Sequence, residues 1–242
     1  MGESALQAHS ADDGAQTTLL AALQLADSFF PTGMYTQSHG LERFVQEGGV
    51  RGGAQIERLL HSYLRHVAAT GDALAARWTA RAAQHDDAEL IAAVDARLEA
   101  TKLAAEGRVA SRRCGGRIIL LGCDLFASAL LRDYAARVRD GRAPGHQAVA
   151  LALTAAAAGL DEEAVVAIEL HTFMISLLSA AVRLGALDHT TAQRLIVRAR
   201  PVLSEAAAEG RALDWRDLGG FAPQIELMQF AHAYAETHMF VS

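Results

Sequence analysis

Apolar positions recur along this chain with helical spacing almost from end to end. Ile56, Leu59, Leu60, Tyr63, Leu64 and Val67 advance by three and one, a single stripe on one helix face. The stripe begins after Gly48-Gly49 and Gly52-Gly53 and ends near Thr70-Gly71, where helices start and stop. Upstream, Leu19, Leu20, Leu23 and Leu25 form a leucine-rich helical pattern that breaks at Asp27-Ser28-Phe29-Phe30-Pro31-Thr32-Gly33. Pro31 has no N–H and biases Phe30 away from the helical region, and Gly33 permits positive φ. Beyond the turn a pattern resumes with Met34, Leu41, Phe44 and Val45.

Helical segments then follow over 74–84, 87–99, 101–114, 117–140 and 146–158. Asp161 reads as an N-cap, with Glu162 and Glu163 at the positive end of the next helix dipole. Asp188 reads as the cap of a helix running to Arg200 and stopped by Pro201; a shorter helix over 203–213 follows. Pro223 opens a last helix reaching about Phe240. The most apolar run, Ala164 to Leu184, is long enough to cross a bilayer, but Glu169 and His171 sit near its middle and Arg183 near its end. Ionisable groups at bilayer depth are costly, so this run is expected to be the central helix of a helical core. No period-two strand, internal repeat or long linker is present. The expectation is all-α: one compact domain of roughly ten helices over residues 17–242, after a polar, disordered lead over 1–16.

Composition supports this. The chain is 51% hydrophobic but only 6% aromatic and rich in alanine, which has the highest helix propensity. A net charge of −6 argues against nucleic-acid binding, which needs a basic stripe. The local exception is Arg108, Arg112, Arg113 and Arg117, a solvated basic face or a docking face for an acidic partner. Cys114 and Cys123 lie nine apart, outside zinc or redox spacing. The polar first residues lack the features of a signal peptide, so a cytoplasmic location without membrane association is expected.

Little here points to catalysis. A phosphate-binding loop needs Gly-Lys-[Ser/Thr], and the only lysine, Lys102, stands between Thr101 and Leu103. Ten histidines invite a metal reading, but His61/His66, the His85-Asp86-Asp87-Glu89 cluster and His232/Glu236/His238 lack the spacing for three convergent ligands. Ser28, Ser38, His39 and Glu42 are crowded, yet no nucleophile elbow surrounds them, and Ser28 reads as a turn or cap residue. Glu169 and His171 read as buried packing groups, or as part of a dimer interface or polar passage. Neither a cofactor nor a catalytic residue is expected. Large amphipathic residues instead gather near both ends: Phe29, Phe30, Met34 and Tyr35, then Met228, Phe230, Tyr234, Met239 and Phe240. Such types anchor interfaces, and equally fill cores.

The segment Ser28-Phe29-Phe30-Pro31-Thr32-Gly33, followed by Tyr35, Gln37-Ser38-His39 and Gly40-Leu41-Glu42, resembles the N-terminal signature of the UreF family of urease accessory proteins. Phe30 stands where leucine is commoner in the family. The run from Gly145-His146 through Gly159-Leu160 to 177–184 is similar to the family's central helical pair. Pro223-Gln224-Ile225-Glu226, Met228, His232, Tyr234 and Phe240 are similar to its C-terminal segment. Many members end Arg-Leu-Phe-Arg-Ser, whereas this chain ends His238-Met239-Phe240-Val241-Ser242. The resemblance implies a non-enzymatic chaperone of nickel insertion: a homodimer that joins a UreD/UreH-type partner, recruits a UreG-type GTPase and acts on apo-urease. It also implies partner-facing roles for Phe30, Pro31, Thr32, Gly33, Tyr35, Ser38, His39 and Glu42, and for Gln224, Met228, His232, Tyr234, Phe240 and Ser242, with Tyr35 and Tyr234 as leading anchors. The residues alone leave two other classes open, a helical metal- or His-dependent enzyme and an unrelated dimeric interaction protein.

Overall fold

The computed structural model describes residues 3–31, 33–34, 37–234 and 239–240, with side chains from residue 14 onward except at 233. Eleven α-helices and no strand occur among them. They are α1 (Glu3–Ala26), α2 (Leu41–Gln46), α3 (Gly53–Tyr63), α4 (Asp72–Ala83), α5 (Ala88–Thr101), α6 (Ala105–Leu125), α7 (Ala129–Arg139), α8 (Gln147–Ala157), α9 (Glu162–Arg183), α10 (His189–Glu209) and α11 (Pro223–Ala233). A π-turn over Leu64–Ala68 extends α3. The all-α, single-domain expectation is met.

Local chemistry explains most helix starts. Asp161 Oδ1 accepts the Ala164 N–H at 2.8 Å and Asp188 Oδ1 accepts the Thr191 N–H at 2.8 Å, the two caps expected from sequence. Asp87 and Ser128 cap α5 and α7 in the same way. Several boundaries differ from expectation. Helix α10 passes through Pro201 to Glu209; proline removes one N–H from the ladder, and the carbonyl it would have served belongs to the exposed Val197. Helix α6 runs through Gly115-Gly116 to Leu125. A Cβ at Gly115 would lie 2.0 Å from the Gly145 carbonyl oxygen, so glycine here permits a close crossing rather than a break. Helix α11 ends at Ala233, short of Phe240. Helix α1 also begins at Glu3, inside the lead expected to be disordered.

Helix α9 is the axis of the domain. Val165 and Ile168 near its start join one apolar cluster with α4, α5, α6, α7 and α8. Phe173, Met174, Leu177, Leu178 and Ala181 further along join a second, with α2, α3 and α10. It is the one helix among the described residues long and apolar enough to cross a membrane, and 67% of its most apolar stretch is buried by the rest of the fold. Alanines of α4 and α8 permit the close packing on which this arrangement depends, for Ala75, Ala76, Ala148, Ala150 and Ala152 are all fully buried.

Candidate functional site

The Phe29–Glu42 segment is held from beneath. Asp27 Oδ1 accepts the Phe29 N–H at 2.7 Å, forming an Asx turn that leaves Phe29 exposed while Phe30 is buried. Gly33 and Gly40 adopt φ of 82° and 84°, and His39 adopts φ of 53°. Ser176 on α9 donates its hydroxyl to the Met34 carbonyl at 2.9 Å. The His39 carbonyl accepts from the Tyr63 hydroxyl and, at 3.4 Å, from the Gln229 amide. A Cβ at Gly40 would lie 3.1 Å from the Gln229 backbone nitrogen. Glycine there lets α11 press directly on the start of α2.

Glu42 then joins α2 to the C-terminal segment. Its carboxylate accepts the Met239 N–H at 2.9 Å, the Phe240 N–H at 3.2 Å and a hydrogen bond from His232 Nε2 at 3.1 Å. His232 Nδ1 lies 3.0 Å from a Glu106 carboxylate oxygen at the start of α6. Both ring nitrogens therefore face carboxylate oxygens. Burial alone would raise the Glu42 pKa, but the donors of Met239, His232 and Phe240 outweigh it and hold the carboxyl below its ordinary value. The Arg183 guanidinium sits 4.3 Å from the centre of the buried Phe240 ring.

What this clasp displays is apolar. Leu227, Phe230 and Tyr234 step by three and four along the outer side of α11 and are exposed, Tyr234 to 89%. Phe221 and Met239, before and after the helix in sequence, are also exposed. Beside it runs an open groove of about 460 Å³, bordered by Phe44, Val50, Leu59, Gln224, Leu227 and Met228.

The residues singled out from sequence thus divide. Pro31, Gln224 and Tyr234 are exposed, and Gly33, His39 and Met228 half-buried. Phe30, Ser38, Glu42, His232 and Phe240 are buried; Glu42, His232 and Phe240 form the clasp, while Phe30 packs in the first core. Thr32, Tyr35 and Ser242 lie outside the described residues. Phe221 and Leu227 were missed; Leu227 could have been found from its i,i+3 relation to Gln224 and Phe230.

The interior also holds a cavity of about 120 Å³, lined by Gln37, His39, Asp72, Lys102, Gln147 and Glu169 among others; of these, the sequence marks only Glu169 as a candidate for a polar passage. Lys102 Nζ donates to Asp72 Oδ2 at 2.7 Å. That ammonium holds the Asp72 carboxyl low against a burial that would raise it. Burial, reinforced by the Asp72 charge, pushes Glu169 up to about 8. Burial and then the Lys102 charge push His39 down to about 4, leaving it neutral. His39 Nε2 and Asp72 Oδ1 are buried without a protein partner. Ile225 and Gln229 of α11 form part of the cavity wall, so the displayed helix also closes the interior. No group of three or more His, Cys, Asp or Glu side chains suited to holding a metal occurs among the described residues. The acidic cluster after α4 serves structure: Asp87 caps α5, and Glu89 pairs with Arg137 at 2.8 Å.

The site is therefore an exposed apolar stripe on α11 whose supporting segment is clasped to α2 through one carboxylate. Comparison with known proteins gives the family. The profile of the UreF family matches residues 50–200. The chain is 32% identical over 226 residues to the urease accessory protein UreF of Paenarthrobacter aurescens (strain TC1), covering 93% of this chain and 99% of that one. It is 32% identical over 224 residues to the UreF of Lachnoclostridium phytofermentans, covering 93% and 98%, and 30% identical over 224 residues to that of Bacillus sp. (strain TB-90), covering 93% and 99%. The chain belongs to the UreF family of urease accessory proteins.

Proposed function

We propose that this chain is a non-catalytic scaffold of urease maturation, docking a UreD/UreH-type accessory protein through the clasped tail face. In this reading the chain works in the cytoplasm as a homodimer, the pair recruits a UreG-type GTPase, and the assembly hands nickel, as cargo, to apo-urease. No bond-making step is assigned to its residues. The observation that carries the docking role is the two-sidedness of α11: its inner side is anchored through His232 on Glu42, and its outer side presents Leu227, Phe230 and Tyr234 to solvent. Large apolar and aromatic side chains on a rigid support are what interface hot spots require. Gln224 and Met228 line the groove beside that face, and Pro31, Thr32, Tyr35 and Ser242 are proposed as partner-facing on the family resemblance alone. Buried Phe240 anchors the tail beneath it, and Phe30 and Ser38 lie in the interior, away from solvent.

The test is a binding titration of the purified chain with the UreD/UreH-type protein of the same cell. Leu227→Asp with Tyr234→Asp should weaken binding at least about tenfold, the loss of one or more hot-spot contacts. Thermal stability should stay close to that of the parent chain, because both side chains are exposed. Unchanged binding in the double variant, or no binding by the parent, rejects the docking face.

A further inference from the structure

We propose that the outer face of α6 is a second docking surface, shaped for an acidic helical segment of another protein. The inference is independent of the tail face and holds whether or not that face docks a urease-maturation partner.

The four arginines of α6 look equivalent in sequence, and the structure separates them. Arg108 donates to the Lys102 and Leu103 carbonyls at 2.6 and 2.8 Å and lies 3.7 Å from Glu99. Arg112 pairs with the same Glu99 at 3.1 Å. These two tie α6 to the end of α5. Arg113 and Arg117 are exposed, one turn apart, and neither has a carboxylate partner among the described residues.

Their surroundings are apolar rather than acidic. Val109 is 56% exposed and Leu120 is 74% exposed. Val109, Arg113, Gly116 and Leu120 follow at steps of four, three and four, so they share one face with Arg117 at its edge. At 1.5 Å per residue, Val109 to Leu120 spans about 16 Å, three turns of a partner helix. A Cβ at Gly116 would meet nothing within 4 Å, so the middle of the face is low and lets a partner backbone approach. Asp124 is exposed one turn past Leu120 and gives the face polarity, while Glu106, at the other end of the helix, is engaged by His232 at 3.0 Å.

Charge selects the occupant. Two uncompensated guanidiniums call for carboxylates, which arginine binds through parallel N–H donors. A second copy of this chain in a two-fold interface would bring four such cations together, with only two acids to offset them. Nucleic acid is disfavoured too: a chain of net charge −6 offers phosphate two cations with apolar side chains between them. The fitting occupant is a protein helix carrying carboxylates at i and i+4 beside a leucine or phenylalanine.

The experiment uses the full chain and three fluorescent probes, read by anisotropy. They are a helical peptide of about 18 residues with Glu pairs at i,i+4 and leucines between them, its Lys-for-Glu counterpart, and a DNA duplex of about 20 base pairs. The Glu peptide should bind saturably and weaken with added salt. Arg113→Glu with Arg117→Glu should weaken it at least about tenfold, Leu120→Ser should weaken it several-fold, and Arg113→Lys with Arg117→Lys should retain part of it. If the charge-reversed chain fails to fold, Leu120→Ser alone decides. The proposal is overturned if the Glu peptide does not bind, if the substitutions leave binding unchanged, or if the Lys peptide or the duplex binds as well. It is equally overturned if the parent chain self-associates and the same substitutions abolish that association.

Discussion

Asp95 and Glu42 are both buried carboxylates that collect backbone N–H groups, and the contrast between them separates what holds the fold from what displays the site. Asp95 lies inside the first core, accepting from the Tyr134 hydroxyl at 2.8 Å and from the Gly145 and His146 N–H groups at 2.8 and 3.1 Å. Its partners sit on α7 and on the loop before α8, and His146 continues the network to Ser111 and Glu99 at 3.0 and 2.7 Å. Glu42 instead gathers donors from the C-terminal segment: His232 on α11, whose other side faces solvent, and the Met239 and Phe240 N–H groups beyond it. One network joins elements that are buried whatever the tail does. The other fixes a segment that contributes little to the core beyond Ile225 and Phe240.

The largest expected effect follows from the first network. Asp95→Ala leaves the Gly145 and His146 N–H groups and the Tyr134 hydroxyl unsatisfied at a fully buried position. Leaving three buried donors unpaired, at about 1–3 kcal/mol each, should cost about 3–5 kcal/mol in all. Denaturant unfolding should show that loss as a lower midpoint at unchanged slope. A loss below about 1 kcal/mol would mean that the interior does not depend on Asp95, and the contrast with Glu42 would fail.

A smaller effect of opposite sign belongs to the interior cavity. Glu169 is 1% exposed, and its pKa rises from an ordinary 4.5 to about 8. Between those two values the folded chain holds a proton that the unfolded chain has released, so stability falls as pH rises through this window. Below 4.5 both states are protonated and Glu169 contributes nothing; above 8 the full cost is present. Glu169→Gln keeps an acceptor for the Gln147 amide, which now lies 3.0 Å from the carboxyl, and cannot ionise. It should stabilise the chain by about 2–3 kcal/mol at pH 8.5, below the ceiling set by the shift, and by almost nothing at pH 4. Thermal melts across that range decide it: a stabilisation independent of pH would assign the gain to packing instead.

How much of this was legible in the sequence follows the same division. The helical class, the central role of 164–184 and the caps at Asp161 and Asp188 were readable because each rests on local periodicity or a three-residue capping pattern. The merging of two expected helices across Pro201 was not, because proline's local cost was outweighed by the burial of Val202 and Ala206 beyond it. The two site segments were recognisable by family resemblance, but their meeting at Glu42 joins residues almost 200 apart, which no local pattern encodes. Burial was the weakest inference of all. Phe29 and Phe30 are adjacent and identical, yet one is 91% exposed and the other 6%, a difference set by the Asx turn and by tertiary packing. Lys102 entered the sequence reading only as the lysine that makes no phosphate loop, and its pairing with Asp72 across the cavity depends on α4 and α5 being neighbours.

The smallest expected effect on stability carries the most weight for function. Glu42→Ala removes the acceptor of the Met239 and Phe240 N–H groups and one partner of His232, while Glu106 stays within reach of the ring. Met239 is exposed, so its freed N–H can turn to water, and the net cost should be about 1–2 kcal/mol rather than the loss expected at Asp95. Amide exchange at Met239 and Phe240 should accelerate strongly while amides of α8 and α9 stay protected. Binding of the UreD/UreH-type protein should weaken with it, since the tail must then be ordered at the moment of docking. Removing residues 223–242 altogether should abolish binding with only a modest further loss of stability. A loss comparable to that of Asp95→Ala, with exchange rising throughout α9, would place the tail in the core and collapse the distinction between the two carboxylates.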